Sequence, residues 1–331
     1  MTLTYVYSDS TAVVGPLAGH AEPHAYDLCA VHADRLTVPR GWRVVRLLPA
    51  RVAYAAFDRA ADVTHRRDGR SVQRLRSNYA RVRPELSPAE LEAVVREGMR
   101  SYLRYWCDAF RLPDLTQQVL HETVRVVGDQ GVRDSLREGR GAVMFLGHLG
   151  NWDLAGAWST HELAPVTTVA ERLRPEEVYE AFVAFRERLG MRILPLTGGP
   201  PAMPELVRAL RAGGFVPLLA DRDLTDQGVT VTFCGREARM APGPAALAVA
   251  TGAPLHPVSV HYERRHGPGG TGSGYDVVVT FHEQVPVPET GRTRDKAAAM
   301  TQSCAAALEA AVVRHTADWH MMQRVFAEDV R

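Results

Sequence analysis

A histidine closes an apolar run, GAVMFLG, and an aspartate follows five positions later in GHLGNWDLAGAW; these are His148 and Asp153. The run reads as a buried strand and the stretch beyond it as the start of a helix, which puts the imidazole at a strand's carboxyl end. In an open parallel sheet that edge is where ligands bind, and a helix N-terminus beside it offers N–H groups to an anion. A neutral imidazole there can remove a proton from an alcohol as the alcohol attacks, help worth about 10²–10⁴ in rate. A carboxylate partner would fix its tautomer and stabilise the imidazolium that forms. On periodicity alone, a lone histidine is more often a structural residue than a catalytic one.

The elements that must position this pair lie in the centre of the chain. GAVMFLG (141–147), PVTTVA (165–170), MRILPL (191–196) and FVPLLAD (215–221) are short apolar strand candidates. PEEVYEAFVAFRERLG and PELVRALRAGG read as helices between them, and this alternation predicts an α/β fold with a mainly parallel central sheet flanked by helices. PLHPVSVHYE and YDVVVTFHE read as two strands joined by RRHGPGGTGSG, and KAAAMTQSCAAALEAAVVRH as a late helix. The joining loop contains a formal G-x-G-x-x-G at Gly267, Gly269 and Gly272. Since a strand follows it rather than a helix, a hairpin loop is expected, not a dinucleotide site. Earlier in the chain, SPAE (Ser87–Glu90) has serine at N-cap, proline at N1 and glutamate at N3, and opens a helix toward Trp106. From Trp42 the residues Val44, Val45, Leu47, Leu48, Val52, Ala55, Ala56 and Phe57 recur at helical steps around Pro49.

With 331 residues, net charge +1, 46% hydrophobic and 23% charged residues, the chain is expected to be globular and not a dedicated nucleic-acid binder. Four scattered cysteines suggest neither a disulfide framework nor a four-thiolate zinc site. Cys29 and His32 have the spacing of half a zinc site, without a second pair ahead of them. The first residues, MTLTYVYSDS, lack the basic and apolar regions of a signal peptide, and the longest stretch without acid or arginine is broken by Pro242, Pro244, Pro254 and Pro257. A reducing compartment and no bilayer span are expected. There is no Walker A motif, nucleophile elbow or H-E-x-x-H.

Two regions stand apart. Residues 1–40, with TLTYVY as a strand and then many turn formers and histidines, read as a short loop-rich head ahead of a main domain over 41–331. His65, Arg66, Arg67, Arg70, Arg74, Arg76, Arg81 and Arg83 form a basic stretch beside an apolar helix face, suited either to solvent or to an anionic membrane surface. Lys296 is the single lysine among 39 basic side chains, so any phosphate recognition would fall to arginine, whose planar fork binds oxygens bidentately.

The H-x4-D pattern resembles the signature of the glycerolipid and lipid A acyltransferases. The wider wording GHLGNWDLAGAW is similar to that of the actinobacterial phosphatidylinositol mannoside acyltransferases, from about Gly41 to the C-terminus. AERLRPEEVYEAFVAFRERLGMRILPL, PLLADRDLTDQGVTVTFCGREARMAPGPAALAVATGAPLHPV and the tail DWHMMQRVF extend the likeness. Residues 1–40 resemble part of a small uncharacterised actinobacterial family whose members carry a further cysteine pair upstream. The acyltransferase resemblance implies a glycerolipid-acyltransferase-like fold, with His148 as the base that activates the acceptor hydroxyl and Asp153 as the motif aspartate. It also implies an acidic partner for the histidine, usually glutamate. Here Asp221 stands in that place, one methylene shorter, with Asp223 as a fallback. Glu171, Arg186 and Arg222 match polar positions lining that site, where structural salt bridges are the alternative.

On this reading an acyl group passes from acyl-CoA, a co-substrate, to a sugar hydroxyl of a phosphatidylinositol mannoside, with no metal and no redox cofactor. Backbone N–H groups of Leu149 to Asn151 or an arginine would receive the oxyanion. The expected partners are acyl-CoA, a glycolipid acceptor and an anionic membrane at the cytoplasmic face, with no nucleic acid. Transfer to another glycolipid or lysophospholipid, acyl-CoA hydrolysis, and non-catalytic lipid binding stay open as alternatives.

Overall fold

In a computed structural model of the chain, the structure describes residues 49–172, 176–199, 201–223 and 227–329, preceded by four strands. Those strands, β1 (Thr2–Val6), β2 (Thr11–Gly15), β3 (Ala25–Asp27) and β4 (Arg43–Arg46), form a sheet of order β3-β1-β2-β4. Three of these strands lie in residues 1–40, where a strand and loops are expected, and Val44 and Val45 belong to the fourth strand rather than to a helix. The helix begins only at Ala50, after Pro49 at its N-cap. Proline removes a donor and clashes with the preceding turn, so it starts a helix and cannot sit in its middle. Cys29 and His32 lie outside the described residues.

Three helices follow: α1 (Ala50–Arg67), α2 (Arg70–Val82) and α3 (Pro88–Arg111). The capping box at the start of α3 is present as expected: the Ser87 N–H donates to Glu90 Oε2 at 2.9 Å, and the Ser87 side chain accepts from the Glu90 N–H. The chain then alternates through α4 (Gln117–Thr123), β5 (Val124–Val127), α5 (Gln130–Arg137), β6 (Ala142–Leu146), α6 (Trp152–Glu162), β7 (Thr167–Ala170), α7 (Glu176–Arg188), β8 (Arg192–Pro195), α8 (Ala202–Arg211) and β9 (Phe215–Leu219). A hairpin of β10 (Val229–Phe233) and β11 (Arg236–Met240), then α9 (Gly243–Thr251), β12 (Leu255–Arg264), β13 (Tyr275–Phe281) and α10 (Thr293–Arg314) complete it.

The central sheet has the order β5-β13-β12-β6-β9, and every pairing in it is parallel except β12 with β13. The RRHGPGGTGSG segment is the hairpin loop expected between those two strands. An isolated bridge, Val166↔Phe215, and the parallel pair β7–β8 extend the parallel arrangement beyond β9. The sheet is therefore mostly parallel and flanked by helices, as the strand–helix alternation predicts.

Strand β6 shows why apolar runs without alternation become central strands. All five of its residues are buried: Val143 and Phe145 join one core with α2, α3, α8, α9 and α10, and Ala142, Met144 and Leu146 join the other with α5 and α6. Burying a side chain the size of Phe145 is worth about 1.5–3 kcal/mol, and both faces of this strand collect it. The pairing of β6 with β9 runs Ala142↔Phe215 to Leu146↔Leu219, so the two strands end level. That register positions the site.

Candidate active site

His148 and Asp221 each lie two residues beyond a strand end in the register Leu146↔Leu219, on neighbouring strands. Adjacent strands are about 4.8 Å apart, a gap that a short acidic side chain can bridge. His148 Nδ1 lies 2.6 Å from Asp221 Oδ1, and the His148 backbone N–H donates to Asp221 Oδ2 at 2.9 Å. The aspartate needs no extra methylene. Asp221, not Asp223, meets the ring; the Asp223 N–H donates to the Arg239 carbonyl at 2.9 Å.

The loop between β6 and α6 is held close by two glycines. A Cβ on Gly147 would stand 3.1 Å from Asp221 Oδ2. Gly150 has φ +64°, and a Cβ there would meet the Val260 carbonyl oxygen at 2.4 Å, so no other residue fits without displacing backbone. Asn151 caps α6, accepting from the Leu154 N–H at 2.9 Å. The cap aims the positive end of the helix at the site.

Asp221 is 2% exposed. Burial pushes its carboxyl up, but the His148 imidazole and hydrogen bonds from that ring, from Trp319 and from the His148 N–H outweigh it, and the net shift is down. Because an ionised carboxylate only accepts, Nδ1 of His148 carries the proton and Nε2 is left as the basic atom. The His148 side chain is 21% exposed, so the dyad has a buried acid and an imidazole that solutes can reach.

The C-terminal tail seals this arrangement. Trp319 Nε1 donates to Asp221 Oδ2 at 2.9 Å, the His320 N–H donates to the His148 carbonyl at 2.8 Å, and the Gly150 N–H donates to the Asp318 carbonyl at 2.8 Å. That last bond removes Gly150 from the expected oxyanion donors, since its N–H is already committed. His320 packs against Trp152 and Tyr105, with ring centroids 5.9 and 6.0 Å away, and burial pushes it down to about 3, so it is neutral. Trp152 in turn lies edge-on to His148 at 5.6 Å. Trp152 Nε1 and His320 Nδ1 are buried without protein partners, a cost of about 1–3 kcal/mol each unless a bound group satisfies them.

The remaining sequence candidates fall into two pairs. Asp153, the expected motif aspartate, accepts from Arg186 Nε at 2.7 Å and from the Tyr105 hydroxyl at 2.5 Å. Arg186 is therefore engaged in a buried ion pair rather than lining the site as an open cation. Burial works against its charge, and Asp153 more than offsets that. Glu171 and Arg222 pair with each other at 2.9 Å at the same edge of the sheet, after β7 and β9. Sequence reasoning missed Trp319, His320 and Tyr105, and it named Asn151 for its N–H but not for its side chain as the helix cap. The DWH of the tail was the available signal, but nothing local says which residue it meets.

The basic stretch is more neutralised than its sequence suggests. Arg76 pairs with Glu92 and Asp68, Arg74 and Arg81 with Asp329, Arg83 with Glu85, and His65 with Glu92. Arg66, Arg67 and Arg70 of the stretch remain exposed. Among the described residues no helix is long and apolar enough to cross a membrane, and no cluster of three or more His, Cys, Asp or Glu could hold a metal.

Comparison with known proteins adds to this geometry. A sequence model of the bacterial lipid A biosynthesis acyltransferases matches residues 35–328. A phosphatidylinositol mannoside acyltransferase of Mycolicibacterium smegmatis (strain ATCC 700084 / mc(2)155) is 40% identical over 292 residues, covering 88% of this chain and 90% of the relative. One of Mycobacterium tuberculosis (strain CDC 1551 / Oshkosh) is 40% identical over 293 residues, covering 88% of this chain and 87% of the relative.

Proposed function

Since the chain belongs to the bacterial lipid A biosynthesis acyltransferase family, we propose that it moves a long-chain acyl group from acyl-CoA to a hydroxyl of a phosphatidylinositol mannoside. The observation that carries the chemistry is the His148–Asp221 dyad at the carboxyl ends of two parallel strands, with its basic nitrogen turned away from the acid. His148 Nε2 takes the acceptor's proton as the hydroxyl oxygen attacks the thioester carbon. The tetrahedral intermediate then expels the thiolate, which takes the proton from the imidazolium. Asp221 stabilises the imidazolium between these steps. The N–H groups of Leu149 and Asn151 and the N-terminus of α6, which follow His148 in the chain, are the donors assigned to the developing oxyanion.

The exposed arginines on the outer side of α1 and at the start of α2 suit an anionic membrane surface, where such an acceptor resides. The protein should therefore float with anionic vesicles at low salt, and staying in the pellet fraction would sink that part of the reading.

The decisive experiment is mass spectrometry of products from purified protein with palmitoyl-CoA, with and without a phosphatidylinositol mannoside. Acceptor-dependent acylated lipid is expected, falling by about 10²-fold or more in His148→Ala. Free fatty acid alone would indicate hydrolysis, and no turnover in the wild type would overturn the assignment.

A further inference from the structure

Asp221 presents two oxygens, and the structure supplies each of them with donors. Oδ1 faces the His148 ring, while Oδ2 accepts both the His148 N–H and, at 2.9 Å, the indole N–H of Trp319. The indole arrives 98 residues after the acid it touches, on a strap of chain held against the catalytic loop from both sides. An isolated antiparallel bridge joins Leu149 to Trp319, with the Gly150–Asp318 and His320–His148 backbone bonds flanking it. Asp318 anchors the strap below, accepting from the Ser101 hydroxyl at 2.6 Å and the Tyr262 N–H at 2.8 Å. Trp319 is wholly buried and packs its ring 5.9 Å from Phe233. Packing alone would not require the indole nitrogen to be aimed at a carboxylate.

We propose that Trp319 is a positioning residue for the acyl-transfer reaction: its indole N–H fixes the rotation of the Asp221 carboxylate and shares the negative charge that His148 draws on. The proposal rests on the assignment of His148 as base. A carboxylate with a neutral donor on Oδ2 holds its charge more easily, so it pulls less strongly on the imidazole proton. Without the donor, Asp221 is held by its two bonds to His148 alone, and its charge falls more fully on the ring. The proton of the dyad is then held more tightly, and its return to the leaving thiolate slows. The titratable groups that bear on the dyad are His148 and Asp221 themselves and His320 on the strap, kept neutral by burial, with Arg104 acting on His320 from α3.

The test replaces Trp319 in the full-length chain in two ways. Trp319→Phe removes the N–H with some loss of volume, and incorporation of 3-benzothienylalanine at 319 exchanges the N–H for sulfur at nearly the same shape. The titration of His148 is followed by NMR of histidine-labelled protein, assigned with His148→Gln, beside the pH profile of kcat. Both variants should raise the apparent midpoint of the dyad by about 0.5 unit. They should also lower kcat about tenfold, while KM for palmitoyl-CoA changes less than about twofold. An unchanged midpoint in the benzothienylalanine protein would overturn the proposal and leave Trp319 a packing residue, whatever its effect on Tm. If the wild type transfers no acyl group, the functional assignment fails, and the NMR titration still decides the role of Trp319.

Discussion

Asp221 and Asp108 are sealed from solvent to the same degree, at 2% and 1% exposure, and each receives three hydrogen bonds. Asp108, on α3, accepts from the Tyr54 hydroxyl at 2.5 Å, the Tyr262 hydroxyl at 2.7 Å and Asn151 Nδ2 at 2.9 Å. Yet their carboxyls shift in opposite directions. At Asp108 burial dominates and the shift is upward, although all three donors and Arg104 oppose it. At Asp221 the opposing groups win. Since burial and the number of donors match, the difference lies in what the donors are. The donors on Asp108 are neutral hydroxyls and an amide, whereas Asp221 faces an imidazole that can itself become charged. A buried carboxylate keeps its charge when its partner can hold the opposite one. Asp153 extends the contrast, with a full guanidinium on it from Arg186.

The largest effect should come from removing the charge at Asp221 while keeping its shape. Asp221→Asn is expected to lower kcat about 10²–10⁴-fold in steady-state assays; a loss under tenfold would mean the charge is not what separates the two sites. Arg186→Ala comes next. It leaves Asp153 buried without its cation, and urea unfolding should show a loss of about 3–5 kcal/mol.

Acid pH sharpens the comparison from the histidine side. His320 is held down to about 3 and His315, stacked on His261 at 3.6 Å, to about 4. For a histidine lowered by folding, the stabilisation is complete above the unfolded value near 6.5 and is lost as pH falls toward the folded value. Stability measured by urea unfolding should therefore fall between about pH 6.5 and 3 by a few kcal/mol, and His320→Gln should flatten that slope.

Asp108→Asn should do little. A carboxyl raised by folding is most favourable below the unfolded value and costs stability as pH rises toward the folded one, so replacing it removes that cost at neutral pH. Two of its three donors are hydroxyls able to turn and accept from the new amide, and stability should change by less than about 1 kcal/mol. A loss of 3 kcal/mol or more would show that Asp108 is ionised and needed as such. The smallest change is expected from Glu171→Ala, which opens a surface pair with Arg222 and should shift thermal stability by less than about 1 kcal/mol.

Much of the framework was legible in the residues. Apolar runs placed β6, β7, β8 and β9, and the capping box at Ser87 placed the start of α3. Two strands of alternating pattern, β10 and β11, went unassigned although Cys234 and Gly235 between them make a tight turn with φ of 51° and 71°. The segment around Val44 misled because β-branched residues at helical spacing also fit a strand, and pairing with β2 decided for the strand. At the site, whether a shorter acid reaches the ring depends on strand register, which a count of methylenes does not contain.

The sequence by itself determined the local pieces: an apolar strand leading to His148, the start of a helix after it, and an acid, Asp221, at the end of another apolar run. Those follow from periodicity, which acts over a few residues. Tertiary structure decided which pieces meet. It placed β9 beside β6, so that residues 73 apart stand 2.6 Å from one another, and it brought Trp319 from the tail onto the same carboxylate. It also gave Asp153 to Arg186 and Tyr105. Partner choice at that range depends on strand order and register, set by how two whole cores pack on the faces of the sheet, and no local pattern of residues carries that information.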